Sequence, residues 1–224
     1  MNLALPRRIA LRSPSLGTEL RARTFDAGEL ASKVVIVTLF SFMAMRLARD
    51  AAATGHVTGI LLLVSEALVV GLTIIRRPAG LVDRTMHARL LTMIAAFGPP
   101  LVRPDSLAGL GPEAMTIAIS AMGNIIVVLG KLSLGRSFGF VPANRGVVST
   151  GVYRFVRHPI YMGYVITHMG FVLANPSAWN LVVLASADLA LMLRARCEER
   201  TLSTDALYRD YMQRVRWRVL PGVF

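Results

Sequence analysis

The chain has 224 residues, of which 54% are hydrophobic and 17% charged, and its mean hydropathy is +0.55. This composition is too apolar for a water-soluble domain of such size, so it predicts a polytopic membrane protein. The net charge is +12, and basic residues on an apolar chain are expected at cytoplasmic helix ends, beside anionic lipid headgroups. Nucleic acid is not expected as a partner, because no basic helix or aromatic-interleaved motif supports binding.

The predicted elements begin with an Arg-rich tail over 1–30, which lacks the apolar core of a secretory signal and is interpreted as a cytosolic, membrane-surface tail. A spanning helix needs about 17 to 25 mostly apolar residues. Six helical segments are predicted, at 31–47, 57–75, 86–102, 114–134, 160–173 and 178–193. Pro99 and Pro100 cannot continue a regular helix, so the third segment should be short or broken at that end. The fold class is therefore an all-α membrane helical bundle with about five to six transmembrane segments.

The last two segments are joined by the turn sequence ANPS and predict a C-terminal helical hairpin, followed by a cytosolic helical tail. If the six segments cross the membrane in alternating directions, most arginines fall in loops on one side, and the loops on the opposite side carry few positive charges. The positive-inside rule then places both termini and the connector 135–157 in the cytoplasm.

The stretch STGVYRFVRHPIYMGY, residues 149–164, concentrates polar and aromatic side chains at the start of the fifth segment. Pro159 predicts the first turn of the helix, with His158 at its cap. The free N–H groups of such a terminus stabilise an anion. His158 and Tyr161 are three residues apart and are neighbours on the helix surface. Gly163 leaves room for close approach by another group, and Arg157 adds a fixed positive charge.

A simpler interpretation assigns no ligand to this stretch. Arg154 and Arg157 would be positive-inside anchors, Tyr153 and Tyr161 interfacial aromatics, and Pro159 a helix start.

A second polar cluster, RARCEERTL, follows the other limb of the hairpin and places Glu198 and Glu199 at the membrane level of His158. Arg194 can pair with Glu198, and Arg196 with Glu199, on the helix surface. Adjacent residues on a helix point about 100° apart, so Glu198 and Glu199 cannot both pair equally well with the arginines on one face. One of the two carboxylates is therefore expected to be available for a cation. A site with an anion end and a cation end suits a zwitterion such as an amino acid.

These motifs together resemble the isoprenylcysteine carboxyl methyltransferases and their bacterial relatives, with phospholipid N-methyltransferases as more distant kin. The resemblance covers about residues 129 to 221 and consists of LGRSF, VVSTGVYRFVRHPIYMG, ANP, EERTL, YRDYMQRV and a terminal LP. It implies three parts, a tail at 1–30, a transmembrane bundle at 31–134, and a methyltransferase core at 135–224 that includes the hairpin and a cytosolic lid. It also implies a bacterial inner-membrane location.

The resemblance implies S-adenosyl-L-methionine as cofactor, bound in a cytosol-facing pocket of the hairpin. The residues that would hold it are Tyr153, His158, Pro159, Tyr161, Gly163, Glu198, Glu199, Tyr208 and Tyr211. One of the two glutamates would meet the amino group of the cofactor, and the two tail tyrosines would close over it. In the tail, Arg216 stands where the family usually has proline, and TDAL replaces the glutamates that precede the tyrosine pair.

The resemblance also places Arg157 near the reacting centre, where it would orient an anionic acceptor. A carboxylate acceptor is already ionised and needs no base, whereas an amine or phenol would need one, for which Glu199 or His158 is nearest. The expected acceptor is a lipophilic small molecule or lipid-modified group that enters from the bilayer, with membrane lipids as the surroundings. The alternatives left open are phospholipid or other lipid N-methylation, an NADPH-dependent sterol-reductase-like enzyme, and a non-enzymatic lipid-binding protein.

Outside the motifs, Glu66 lies in the middle of an apolar segment, and an ionisable residue at that depth is a functional candidate by default. The simpler hypothesis is that Glu66 stays protonated or pairs with Asn124 or His168. No metal is predicted, because the chain has one cysteine, Cys197, and its histidines show no metal-ligand spacing.

Overall fold

The computed structural model describes residues 27–54, 57–83, 85–103 and 109–223, so the N-terminal tail up to residue 26 lies outside the described residues. The described part is mostly helical. Its helices are α1 (Ala27–Thr54), α2 (Val57–Ile75), α3 (Met86–Phe97), α4 (Glu113–Leu134), α5 (Pro159–Ala174), α6 (Ala178–Leu202) and α7 (Ala206–Arg214). Two short strands, β1 (Leu81–Val82) and β2 (Ala143–Asn144), pair antiparallel.

Within the residues that the structure describes, two helical stretches, Glu113–Ser137 and Ala178–Leu202, are long and apolar enough to cross a membrane. Shorter apolar stretches occupy Lys33–Met45, Leu63–Ile75, Met86–Phe97 and Pro159–Ala174. Large apolar side chains such as Phe42, Met93 and Leu189 are exposed, as expected for helices that face lipid. A mostly helical fold with two candidate membrane spans in the described residues is therefore confirmed, and the count of five to six spans stays a prediction.

Two helix boundaries fall at prolines, as the sequence predicts. Helix α3 ends at Phe97, and Pro99 begins a separate turn of 3₁₀-helix. Helix α5 begins at Pro159 with His158 as its N-cap residue. Helix α6 continues past the predicted end at residue 193 to Leu202, because the polar residues that follow are good helix formers even though they end the apolar pattern.

Helices α4 and α5 pack along each other over most of their length. A Cβ atom added at Gly163 of α5 would lie 2.7 Å from Gly123 O of α4, so the backbones meet where neither helix carries a side chain. By contrast, α5 and α6 touch over few residues, and α6 packs mainly on α3. The two limbs of the hairpin therefore diverge and leave a cavity between them.

We call the end of the bundle where α2, α4 and α6 finish and α5 begins the arginine-rich end. Here β1 and β2 pair, with Leu81 opposite Asn144. The chain after α7 folds back against the start of α5, and the N–H of Arg157 donates to Trp217 O at 2.9 Å. The N–H of His158 likewise donates to Arg218 O at 2.7 Å. These bonds hold the C-terminal tail beside the stretch 149–164.

Candidate functional site

The imidazole of His158 lies between the two carboxylates of α6. Its Nδ1 is 3.5 Å from Glu198 Oε2, and its Nε2 is 3.4 Å from Glu199 Oε1. The ring stacks on Tyr161, with 5.2 Å between centroids and planes 12° apart. The two motif limbs, separated by about 40 residues in sequence, therefore form one site, and the level predicted for the glutamates is correct.

Glu198 is the more accessible of the two glutamates. Its Oε1 accepts hydrogen bonds from Tyr161 OH at 2.7 Å and from Arg194 Nε at 3.1 Å. The predicted pairing of Arg194 with Glu198 is thus present. With 18% of its side chain exposed, Glu198 faces the cavity between the hairpin limbs, and it can take a further hydrogen bond from a ligand.

Glu199 is buried and held by cations from two other parts of the chain. Arg218 Nε donates to Glu199 Oε2 at 2.7 Å. Arg157 Nε lies 2.8 Å from Glu199 Oε1, although its N–H is not directed at that oxygen, so the two form a close ion pair without a hydrogen bond. Only 5% of the Glu199 side chain is exposed. Glu199 organises the basic residues of the site and does not line the cavity.

The cavity has a volume of about 480 Å³ and reaches from the arginine-rich end into the bundle. Seven predicted site residues line its outer end: Tyr153, Arg157, His158, Tyr161, Glu198, Tyr208 and Tyr211. Pro159 and Gly163 do not line it. Pro159 is buried at the helix start, and Gly163 is turned toward α4, where its missing side chain permits close helix packing.

The tail helix α7 contributes a pair of buried tyrosines. Tyr211 OH donates to Tyr153 O at 2.6 Å, and the rings of Tyr208 and Tyr211 lie 5.6 Å apart. Burial raises the pKa of both phenols, so they remain hydrogen-bond donors. Tyr208 OH is buried without a hydrogen-bond partner, which leaves one donor at the outer end of the cavity for a ligand.

Comparison with known families matches residues 113–210 to the family described as phospholipid methyltransferase. This part of the chain is similar to that family. The match includes α4, both limbs of the hairpin, the double glutamate and Tyr208, and it confirms the resemblance to the isoprenylcysteine carboxyl methyltransferase-like family. A search of curated proteins found no match. The family is one of membrane methyltransferases, which generally use S-adenosylmethionine.

The sequence analysis assigned no role to Arg218, which the structure places in the site. Nothing in the sequence shows that the tail returns to the start of α5. The two backbone hydrogen bonds from Arg157 and His158 to the tail bring it there. The departure of the tail from the family pattern at Arg216, next to this returning segment, was the available signal.

The inner part of the cavity is largely apolar and contains one group of polar side chains. Phe40, Phe171 and Leu184 contribute apolar walls. Glu66 lines the cavity, and its Oε2 has no hydrogen-bond partner. The expected pairing of Glu66 with His168 is not the one found, because His168 Nδ1 lies 2.6 Å from Asp188 Oδ1 on α6.

The protonation of His158 should make the stability of the protein depend on pH. Burial alone would lower the pKa of His158, but the carboxylates of Glu198 and Glu199 outweigh it and raise the pKa above the ordinary value of 6.5. The protonated form therefore stabilises the fold fully below the ordinary value, and this contribution is lost as pH rises through the raised value. The melting temperature of wild type, measured in detergent from about pH 6 to about pH 9, should fall across this window.

The variant His158→Gln should lack that fall, because glutamine does not titrate. His87→Gln is the matched control, since His87 is exposed on α3, and it should keep the wild-type profile. A wild-type profile identical to that of His158→Gln would contradict the assignment of the charge to His158.

Proposed function

We propose that the protein is an integral membrane methyltransferase that uses S-adenosyl-L-methionine to methylate a lipophilic acceptor, with a carboxylate as the preferred methyl acceptor, as in isoprenylcysteine-type O-methylation. One observation carries the proposal. At the outer end of a largely apolar cavity, within the family segment, the carboxylate of Glu198 faces the same space as the cations Arg157 and His158. Such a site has complementary charges for a zwitterionic cofactor and room for an apolar tail.

The side chains present fit the cofactor. Glu198 would receive its amino group, because this carboxylate is partly exposed and faces the cavity. His158 and Arg157, which line the same outer end, would supply positive charge near the carboxylate of the amino-acid end. The rings of Tyr153 and Tyr211, which line the outer end, offer aromatic surface for the adenine base of the cofactor. Tyr208 OH offers an unpaired hydrogen-bond donor.

When bound, the cofactor supplies an electrophilic methyl carbon for an in-line displacement. The protein has to position the acceptor and exclude water. Arg157 would orient an acceptor carboxylate with its guanidinium, which Glu199 holds in place from the opposite side at 2.8 Å. Helix α7 covers the outer end with two buried tyrosines, and this burial keeps water away from the reacting atoms.

The electrostatics of the site favour a carboxylate acceptor over an amine. An amine must lose a proton, and the base has to be within hydrogen-bond reach. Of the two candidate bases, Glu199 is paired with Arg157 and Arg218 and does not line the cavity. The other, His158, lies between two carboxylates that raise its pKa and favour its protonated form. A carboxylate acceptor needs no base. Phospholipid N-methylation remains the second candidate, since the matched family carries that description.

Titration calorimetry of the purified protein with S-adenosylhomocysteine and with NADPH tests the proposal. Wild type should bind the first and not the second. Glu198→Gln removes the negative charge and should weaken binding of S-adenosylhomocysteine by about 1 to 3 kcal/mol, the usual cost of a lost charge-assisted contact. Asp210→Asn, an exposed carboxylate on α7, is the control and should bind as wild type does. Binding of NADPH in place of S-adenosylhomocysteine would indicate a reductase, and binding of neither would favour a lipid-binding protein.

The proposed orientation places both termini and the site in the cytoplasm of a bacterial cell, with the α5–α6 turn on the far side of the inner membrane. Ser106, in another loop expected on the far side, lies outside the described residues. Ala178 is exposed at the start of α6, and Gln213 is exposed near the end of α7. Ala178→Cys should react with an impermeant thiol reagent applied to intact spheroplasts, and Gln213→Cys should react only in inverted vesicles. The wild-type protein controls for Cys197, which is buried. The reverse pattern would contradict the orientation.

A further inference from the structure

The cavity contains a second polar region, deep between the helices. Its side chains are Ser65, Glu66, Asn124, Thr167 and His168, all of which line the cavity. His168 follows His158 by ten residues on the same helix, which corresponds to about 15 Å along the axis. Glu66 and Asn124 lie at similar distances from the ends of α2 and α4 at the arginine-rich end. We call this group the deep polar region.

Glu66 is the unpartnered member of the deep polar region. It is 8% exposed, and its Oε2 has no hydrogen-bond partner. Lys131 is close enough to interact electrostatically, but its Nζ donates to Ser65 O at 3.0 Å and to Ser65 Oγ at 2.7 Å, and Lys131 does not line the cavity. A buried polar atom without a partner costs free energy, because it has lost its hydrogen bonds to water and gained none in return. A ligand that supplied the missing hydrogen bond would recover that cost.

His168 presents a second acceptor to the same space. Its Nδ1 lies 2.6 Å from Asp188 Oδ1, and the tautomer that donates from Nδ1 to this carboxylate leaves Nε2 with a lone pair. An oxygen of Glu66 and a nitrogen of His168 can then each accept a hydrogen bond in the inner part of the cavity. A hydroxyl group can donate its one hydrogen to either acceptor, and it carries little desolvation cost compared with a charged group.

We infer that the deep polar region binds a hydroxyl group on the chain of the lipophilic ligand, about 15 Å from the end that lies beside Arg157. The ligand class is an amphiphile with two separated polar groups, rather than a plain prenyl or acyl chain. This inference rests on the proposed function for the position of the acceptor head, and it adds the recognition of a second group at the opposite end of the same cavity.

A set of hexadecanoic acids tests the inference. Hexadecanoic acid and three isomeric hydroxyhexadecanoic acids, with the hydroxyl near the carboxyl, at mid-chain or toward the far end, compete with a fluorescent fatty acid for the purified protein in detergent. The isomer whose hydroxyl reaches the deep polar region should bind roughly tenfold more tightly than hexadecanoic acid, the effect of one well-placed hydrogen bond. The isomer with its hydroxyl near the carboxyl should show no such gain.

Glu66→Leu should remove the preference and make hexadecanoic acid the tighter ligand. Because this change leaves Lys131 buried without its neighbouring carboxylate, Glu66→Leu combined with Lys131→Met is the second variant, and it should behave likewise. Val64→Ala, at an exposed position on α2, is the matched control and should keep the wild-type preference.

Equal binding of all four acids by wild type, binding of none, or a preference kept by both Glu66 variants would overturn the inference. Binding of S-adenosylhomocysteine is measured on the same samples, and its absence would overturn the proposed function while leaving the comparison of acids readable.

Discussion

Replacing Glu199 with alanine is expected to lower the free energy of unfolding by about 3 to 5 kcal/mol, because it leaves buried cations without their shared anion. The carboxylate of Glu199 lies 2.8 Å from Arg157 and accepts a hydrogen bond from Arg218 at 2.7 Å. Arg157 is 8% exposed, so water cannot replace the lost partner. Thermal and denaturant-induced unfolding in detergent would measure the loss.

The neighbouring change Glu198→Ala should act differently. Glu198 is more exposed than Glu199, and it faces the cavity, so its loss should impair binding of S-adenosylhomocysteine more than stability. Asp210→Ala, at an exposed position, controls for the general effect of removing a carboxylate and should change neither property. If Glu198→Ala and Glu199→Ala lowered stability equally and left binding equal, the division of roles between the two glutamates would be wrong.

The apparent affinity for acceptors should rise about fourfold for each methylene added to the acceptor tail, since burying one methylene contributes about 0.8 kcal/mol. The physical reason is the apolar wall of the cavity, to which Phe40, Phe171 and Leu184 contribute. The rise should stop when the tail outgrows the cavity of about 480 Å³. Methyl transfer to a homologous series of carboxylic acids in nanodiscs would measure the dependence.

Arg157→Lys provides the matched test of the acceptor head. Lysine keeps the positive charge but lacks the planar fork that binds two carboxylate oxygens, so methylation of every acid in the series should drop while the dependence on tail length is kept. A short water-soluble acid methylated as well as its long-chain analogue would contradict entry of a lipophilic acceptor from the bilayer. An unchanged rate for Arg157→Lys would remove Arg157 from the proposed acceptor site.

The helix boundaries at prolines could be predicted because the responsible physics is local. A missing N–H and a fixed backbone angle end α3 before Pro99 and start α5 at Pro159. The apolar segment predicted to end at residue 193 continues as helix to Leu202, and the predicted pairing of Arg194 with Glu198 lies in this continuation. An apolar pattern indicates which residues face lipid or the protein core, but it does not indicate where a helix ends once it continues into polar residues.

The sequence alone also determined that His158 and the two glutamates belong to one site, because a hairpin with a short turn brings the start of α5 and the end of α6 to the same level. Spacing could not decide which glutamate faces the cavity. That depends on the tail, whose Arg218 holds Glu199 at 2.7 Å and leaves Glu198 beside the open space. The tail reaches this position through hydrogen bonds between residues about 60 apart in sequence, and such contacts leave no periodic signal.

Gly163 and Glu66 also show that sequence alone does not predict which groups a residue will contact. A glycine at the fifth residue of α5 predicts a close approach, but only the packing of α4 against α5 decided that the approaching group is another backbone. Glu66 was recognisable as a costly residue at membrane depth. Its proposed role depends on how α5 and α6 pack, because they touch over few residues and leave the cavity open, while Asp188 still reaches His168. The sequence determines which side chains are chemically able to bind a ligand, whereas the directions of the packed helices decide which of them meet, because those directions arise from contacts summed over the whole bundle.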